Sequence, residues 1–246
     1  MPESLLTEFI GAAKSVGLNY GFLASVSERT SWLRGVVVTI ELSVLSILCS
    51  LIVGTVIASL LTSGRPWLAR PARAFVEVLR NTPTLVQIYC AFFVCHMLVN
   101  QSVGAQNNPM SAYAWVVIVF SIHFGAYHAE ALRAGIEAVP KAMRESAISL
   151  GFSRRELLVF VELPLAFRFA LPSLVNNLAD LVKATSLGSA IAVGELTYAS
   201  LMIWIERDNV LEMMILILLV YGALTLSVSR LGFLLEKRLR MPGYGH

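Results

Sequence analysis

The sequence predicts an all-α, polytopic membrane protein. Five transmembrane helices are expected, with a short cytoplasmic helix between the third and fourth and an interfacial helix ahead of the first. Three observations predict it. The 246 residues are 57% hydrophobic and only 14% charged, with mean hydropathy +0.71, whereas a soluble domain carries about 25% charged residues. Five apolar runs approach roughly 20 residues, the length a helix needs to cross a bilayer. Lysine and arginine alternate between rich and poor loops, as successive crossings require.

Residues 1–30 place Leu5, Leu6, Phe9, Ile10 and Ala13 at helical spacing. This is the pattern of an amphipathic helix at an interface, followed by a loop; a disordered leader is the alternative. No cationic start with a short apolar core and small-residue cleavage site is seen, so a cleaved signal peptide is not expected. Residues 31–246 are read as one transmembrane domain. Its spans run from about Gly35 to Leu61, Phe75 to Val99, Ala112 to Leu132, Phe169 to Val193 and Leu211 to Leu235. The second begins with the polar run Arg80-Asn81-Thr82-Pro83. The fourth carries Asn176, Asn177, Asp180 and Lys183, so it must face protein or a wet cavity.

The loop after the first span holds Arg65, Arg70 and Arg73. The segment after the third holds Arg133, Lys141, Arg144, Arg154, Arg155 and Arg168, and the tail holds Arg230, Lys237, Arg238 and Arg240. Asn100–Ser111 has no basic residue, and the loop after the fourth span has only Arg207. The basic loops read as cytoplasmic, which puts the N-terminus outside and the C-terminus in the cytoplasm. Lys14, Arg29 and Arg34 run against this and are outweighed. The net charge of +3 follows the membrane pattern and is no sign of nucleic-acid binding. Cys49, Cys90 and Cys95 lie in apolar stretches without metal-binding spacing, and are read as small buried apolar residues.

Residues 139–164 form the informative segment. Pro140 suits the first position of a helix, and Gly151 suits the residue just past its end, so Lys141–Leu150 should be a short helix. Ser153 and Glu156 make an S-x-x-E capping box that starts a second one, which Pro164 should end or kink. Such a capped helix suits docking into a groove on another protein; an ordinary loop helix fits the same shape equally well.

Glu145-Ser-Ala, Gly151 and Val161-x-Leu-Pro164 hold the spacing of the EAA signature, which is EAA, three residues, Gly, nine residues, Ile-x-Leu-Pro. The chain therefore resembles the permeases of ABC importers, with Ser146 for Ala and Val161 for Ile. The resemblance implies the type I importer permease fold. It also makes this hairpin the coupling helix, with Glu145, Ser146, Ala147 and Gly151, and Arg144 beside them, meeting the ATPase. Arg80-Asn-Thr-Pro-Thr-Leu-Val-Gln87, the stretch Tyr127 to Pro140, Lys183-Ala-Thr-Ser-Leu187 and Gly194-Glu-Leu-Thr197 are similar to segments of polar amino acid permeases. The match extends from about Gly35 to the end. Asn81 stands where Gly is usual and Ala184 where Asp is usual.

No phosphate loop of the form G-x-x-x-x-G-K-[ST] occurs, so no cofactor is expected on this chain, and ATP is left to a partner. The resemblance implies a bacterial inner-membrane complex. Its parts would be a cytoplasmic ATPase dimer, a second permease chain (identical or paralogous) and an extracytoplasmic substrate-binding protein. Arg80, Thr82, Gln87, Asn177, Asp180, Lys183, Ser186 and Glu195 are candidates for the substrate path, because polar groups in a span are costly. Lys183 or Arg80 would take a carboxylate, and Asp180 or Glu195 an ammonium group. Internal pairing or capping of broken helices explains any one of them at least as well. His123 and His128, five apart, read as structural, and Met213 and Met214 as packing residues. A permease for an opine or compatible solute shares every feature of the hairpin. A secondary transporter would show an internal repeat of spans, and a membrane enzyme a clustered nucleophile and base; neither is seen.

Overall fold

The computed structural model describes residues 3–104 and 108–239. Every regular element among them is helical. In chain order they are α1 (Glu3–Ser15), a 3-10 turn (Gly21–Ala24), α2 (Val26–Leu61), α3 (Pro66–Arg80), α4 (Thr84–Val103), α5 (Ala112–Glu137), α6 (Lys141–Ser149), α7 (Arg154–Ile191), α8 (Leu196–Arg207) and α9 (Val210–Leu239). Among the described residues α2, α4, α5, α7 and α9 are long and apolar enough to cross a membrane, the five expected. Arg240 and His246, and the side chains of Leu5 and Leu6, lie outside the described residues.

Three expectations need correction. The second span begins at Thr84, not Phe75; residues 75–80 belong to α3, a separate amphipathic helix. Pro83 causes the break, because it disfavours helical geometry at Thr82 and donates no backbone bond. Pro164 does not end a helix. A π turn over Leu157–Glu162 precedes it, and the wider bonding carries α7 past a residue with no N–H. Cys90 and Cys95 are exposed on α4 and Cys49 is half-buried, all three as free thiols. An apolar thiol suits a lipid-facing surface as well as a core.

The chain forms two compact units, whose boundaries fall inside the five spans. The first comprises Met1–Leu45, Ile88–Val116 and Val182–Thr225; the second comprises Ser46–Gln87, Val117–Leu181 and Leu226–His246. In the first, Ala13, Tyr20 and Phe22 bury against Ile203 and Met213. Polar ties reinforce this: Glu28 pairs with Arg207 at 2.5 Å, the Asn19 N–H donates to Glu212, and Asn209 donates to the Asn19 carbonyl at 3.1 Å. The N-terminal segment is thus built into a core around α8 and the start of α9.

In the second unit Ile57, Ala58 and Leu61 of α2 pack with Ala72 and Val76 of α3 and Ala126 and Ala129 of α5. Small residues let helices touch. A Cβ on Gly54 would overlap His128 of α5, and one on Gly135 would overlap the Ala166 carbonyl of α7. Close backbone approach of this kind drives helix association where lipid is as apolar as leucine.

Candidate functional site

The second unit holds the hairpin. α6 ends in a Schellman motif: Gly151 N–H donates to the Ile148 carbonyl at 2.9 Å, and Phe152 N–H to the Ala147 carbonyl at 3.1 Å. Gly151 takes φ +85°, a value that costs other L-residues. The capping box is formed as the sequence predicts: Ser153 N–H donates to Glu156 at 2.8 Å, and Glu156 N–H to the Ser153 hydroxyl at 3.4 Å. On α6, Ala147 is buried, while Glu145, Ser146, Ile148 and Leu150 face outward. Arg144 faces its own chain. Its Nε lies 2.8 Å from Glu162 on α7, and it donates to the Ile136 carbonyl at the end of α5 at 3.1 Å.

The break between α3 and α4 is the second feature. Ending α3 leaves carbonyls without helical partners, and side chains add donors there, beside the Asn81 N–H that the Glu77 carbonyl accepts at 3.1 Å. Asn81 Nδ2 donates to the Glu77 carbonyl at 2.7 Å, and the Thr82 hydroxyl to the Val78 carbonyl at 2.9 Å. Gln87 reaches back from α4 to the Leu79 carbonyl at 3.0 Å and to the Thr82 hydroxyl at 2.6 Å. His123 of α5 lies 3.2 Å from the Gln87 amide oxygen and 3.0 Å from the Thr84 hydroxyl. Thr82 and Gln87 are therefore brought together, and both cap a broken helix. His123 was read from sequence only as structural; its position opposite the polar run at 81–87 is set by tertiary packing.

Arg80 lies near this break. Its guanidinium sits 5.1 Å from the centre of the Tyr127 ring and 4.0 Å from Glu130. Glu130 is held more closely by Arg133, at 2.5 Å, and Arg133 also pairs with Glu137 at 2.5 Å. Arg73, Glu77, Arg80, Glu130 and Arg133 line a cavity of about 330 Å³. Three guanidinium groups and two carboxylates line it, and Glu137 on Arg133 balances the local charge. Asn177 is half-buried on α7, and Asp180 is exposed.

Lys183, Ser186 and Glu195 belong to the first unit. Lys183 is exposed, and the Ser186 hydroxyl donates to the Lys183 carbonyl at 2.8 Å. Glu195 is fully buried and caps α8. It accepts from Thr197 N–H at 2.8 Å, Tyr198 N–H at 2.9 Å and the Tyr221 hydroxyl at 2.8 Å. Burial raises its pKa, while these donors pull the other way. The same unit contains a cavity of about 690 Å³ lined in part by Arg34, Tyr113, Tyr198 and Glu206.

Residues 50–241 match the family described as the binding-protein-dependent transport system inner membrane component. The chain belongs to that family. It is 32% identical over 210 residues to the L-cystine transport system permease protein TcyB of Bacillus subtilis, covering 83% of this chain and 85% of that one. It is 33% identical over 210 residues to the glutamine transport system permease protein GlnP of Escherichia coli, covering 85% and 93%. Among solved structures it is similar to an amino acid ABC transporter (TM-score 0.76, 29% identity, 88% of this chain and 98% of that one). The MetNI methionine ABC transporter, at 18% identity, shares the fold with TM-score 0.70 over 88% of this chain and 100% of that one.

The permease is a multi-pass inner-membrane component of an ABC importer, a transport component rather than an enzyme. Membership implies an ATPase and a substrate-binding protein as its partners in general terms. It also removes the secondary-transporter alternative. The matched stretch includes the whole α6 hairpin and both sides of the α3–α4 break.

Proposed function

We propose that this permease forms the translocation path of an importer for a polar amino acid and is driven through α6. The observation that carries the coupling reading is the α6 hairpin. It is firmly capped at both turns, bears the EAA-like residues, and presents Glu145, Ser146, Ile148 and Leu150 outward. Glu145, Ser146, Ala147 and Gly151, with Arg144 beside them turned onto its own chain, make up the coupling element, whose outward residues dock on a cytoplasmic ATPase dimer. A second permease chain, identical or paralogous, completes the pair, with the N-terminus outside and the C-terminus in the cytoplasm. The names of the relatives support the substrate class: cystine and glutamine are both zwitterions.

Within the path Arg80 is the best-supported carboxylate contact. It is the cation of its cluster with the longest ion pair, and it faces a cavity large enough for a small solute. Thr82, Gln87, Asn177, Asp180, Lys183, Ser186 and Glu195 complete the proposed set, although the bonds of Thr82, Gln87 and Glu195 within the chain already give each a structural role. Asn81 and Ala184, which depart from the usual residues, leave an opine or compatible solute as the second reading.

The test is to purify the tagged chain from its native membrane, with Gly151→Arg in parallel. An ATPase should accompany the unaltered chain, and the reconstituted complex should accumulate radiolabelled amino acids. The variant forces a side chain into positive φ at a cost of about 1–2 kcal/mol and should lose the ATPase or uncouple it. A stable chain that brings no ATPase would end the coupling reading. Transport of betaine-type solutes but no amino acid would move the substrate to the second reading.

A further inference from the structure

We infer that Arg144 and Glu162 are positioning residues. They fasten the α6 hairpin to the ends of α5 and α7, so that movement of α6 is transmitted to both spans. This rests on the reading of α6 as the coupling helix. One guanidinium joins three helices: it stands on α6, pairs with Glu162 of α7 at 2.8 Å and donates to the Ile136 carbonyl of α5 at 3.1 Å. That carbonyl lies in the last turn of α5, where its backbone donor is the Val139 N–H at a long 3.4 Å and no i+4 helical N–H follows. A guanidinium spreads its charge over a planar fork, so one edge sits against the carboxylate as an ion pair while another N–H donates to the carbonyl; a lysine is a point charge on a flexible stem.

The surroundings make the joint stiff. Val139, Leu165 and Ala166 are buried together, with Ile136, Met143, Val161 and Phe169 packed on them. Gly135 brings the α5 backbone against the Ala166 carbonyl. Glu162 closes the π turn of α7, the irregularity that precedes Pro164. The side chains of Arg144 and Glu162 are 35% and 21% exposed, so the pair is only partly screened by solvent. The outward residues of α6 are thus free to meet a partner, while the guanidinium of Arg144 is held inside its own chain. Without this joint, a push on α6 would bend the loops at 138–140 and 150–153 and leave the spans where they are.

The experiment uses the full complex, purified with its ATPase and binding protein and reconstituted in proteoliposomes. A radiolabelled amino acid mixture is the transported probe. Four chains are compared with the unaltered one: Arg144→Gln, Glu162→Gln, Arg144→Lys, and the exchange Arg144→Glu with Glu162→Arg. The readout is solute transported per ATP hydrolysed, together with the amount of ATPase retained and the unfolding temperature of the complex. Each Gln variant should keep its ATPase yet lose transport per ATP on the order of tenfold. Arg144→Lys should fall between these and the unaltered chain. The exchange should recover more than the two single losses combined predict, because it restores the ion pair though not the bond to Ile136.

Unchanged transport per ATP in folded Gln variants would overturn the proposal. So would a fall in unfolding temperature with normal coupling, which would make the pair merely structural. Loss of the ATPase from the variant complexes would overturn it in favour of direct contact. An unaltered chain that brings no ATPase would overturn the coupling reading itself, and this inference with it.

Discussion

At the scale of single residues, polar groups in the spans are mostly occupied by the backbone of the chain itself. Gln87 illustrates the cost of removing one. Its amide serves the Leu79 carbonyl and the Thr82 hydroxyl, and its oxygen faces His123. Gln87→Leu removes these bonds, while the Thr82 hydroxyl keeps the Val78 and Leu79 carbonyls and His123 keeps Thr84; the loss should total about 1–3 kcal/mol and lower the unfolding temperature of the detergent-purified chain. His123→Asn, which keeps a donor toward Gln87, should fall less than His123→Leu. Glu195 gives a pH dependence. Its pKa is raised, chiefly by burial, so the folded chain holds this proton to higher pH than the unfolded chain does. That contribution to stability is full below about 4.5, the ordinary carboxyl value, and is lost as pH rises through the folded value. Unfolding midpoints followed upward from pH 4.5 should decline more in the unaltered chain than in Glu195→Gln.

Among elements, the question is which contacts hold helices together where burial in lipid offers no gain. Glycines at crossings answer it. Gly135 lies where a Cβ would collide with the α7 backbone, whereas Gly222 on α9 has open space around it. Gly135→Val should cost about 1–3 kcal/mol through overpacking and lower the yield of folded chain. Gly222→Ala should be neutral or slightly stabilising, because alanine is the better helix former. Thermal unfolding of the two variants side by side checks both expectations. The sequence shows Gly135 between Arg133 and Glu137 and Gly222 in an apolar run, but not which is crowded; that difference is made by what lies opposite.

The caps were legible for the converse reason. Pro140, Gly151, Ser153 and Glu156 act through backbone bonds at most five residues away, and so α6 and the start of α7 could be read to within one residue. The separate helix α3 was missed because Phe75, Val76, Val78 and Leu79 resemble the apolar texture of α4, so the polar run Arg80–Pro83 read as the start of a span rather than as a break.

For the molecule as a whole, the N-terminal segment is more firmly built in than its composition suggests. Periodicity alone showed an amphipathic helix; it did not show that Phe22 is fully buried or that Glu28 and Asn19 are tied to Arg207 and Glu212, since these partners lie far along the chain. Deleting residues 1–24 should therefore destabilise the region around α8. Protease digestion of the reconstituted chain should then cut between α8 and α9 much faster than in the full chain, while cuts near α6 are unchanged.

One dimension of the fold ties the molecule to its surroundings. α2 has 36 residues, about 54 Å at the helical rise, against a hydrocarbon core of about 30 Å; its apolar part from Gly35 onward alone measures about 40 Å. The 20 residues of α4 match such a core almost without excess. A thin membrane asks α2 to lean or the lipid around it to stretch, at a fraction of a kcal/mol for each ångström. Acyl-chain length is then a thermodynamic variable of this protein, acting on one helix much as a load acts on a spring.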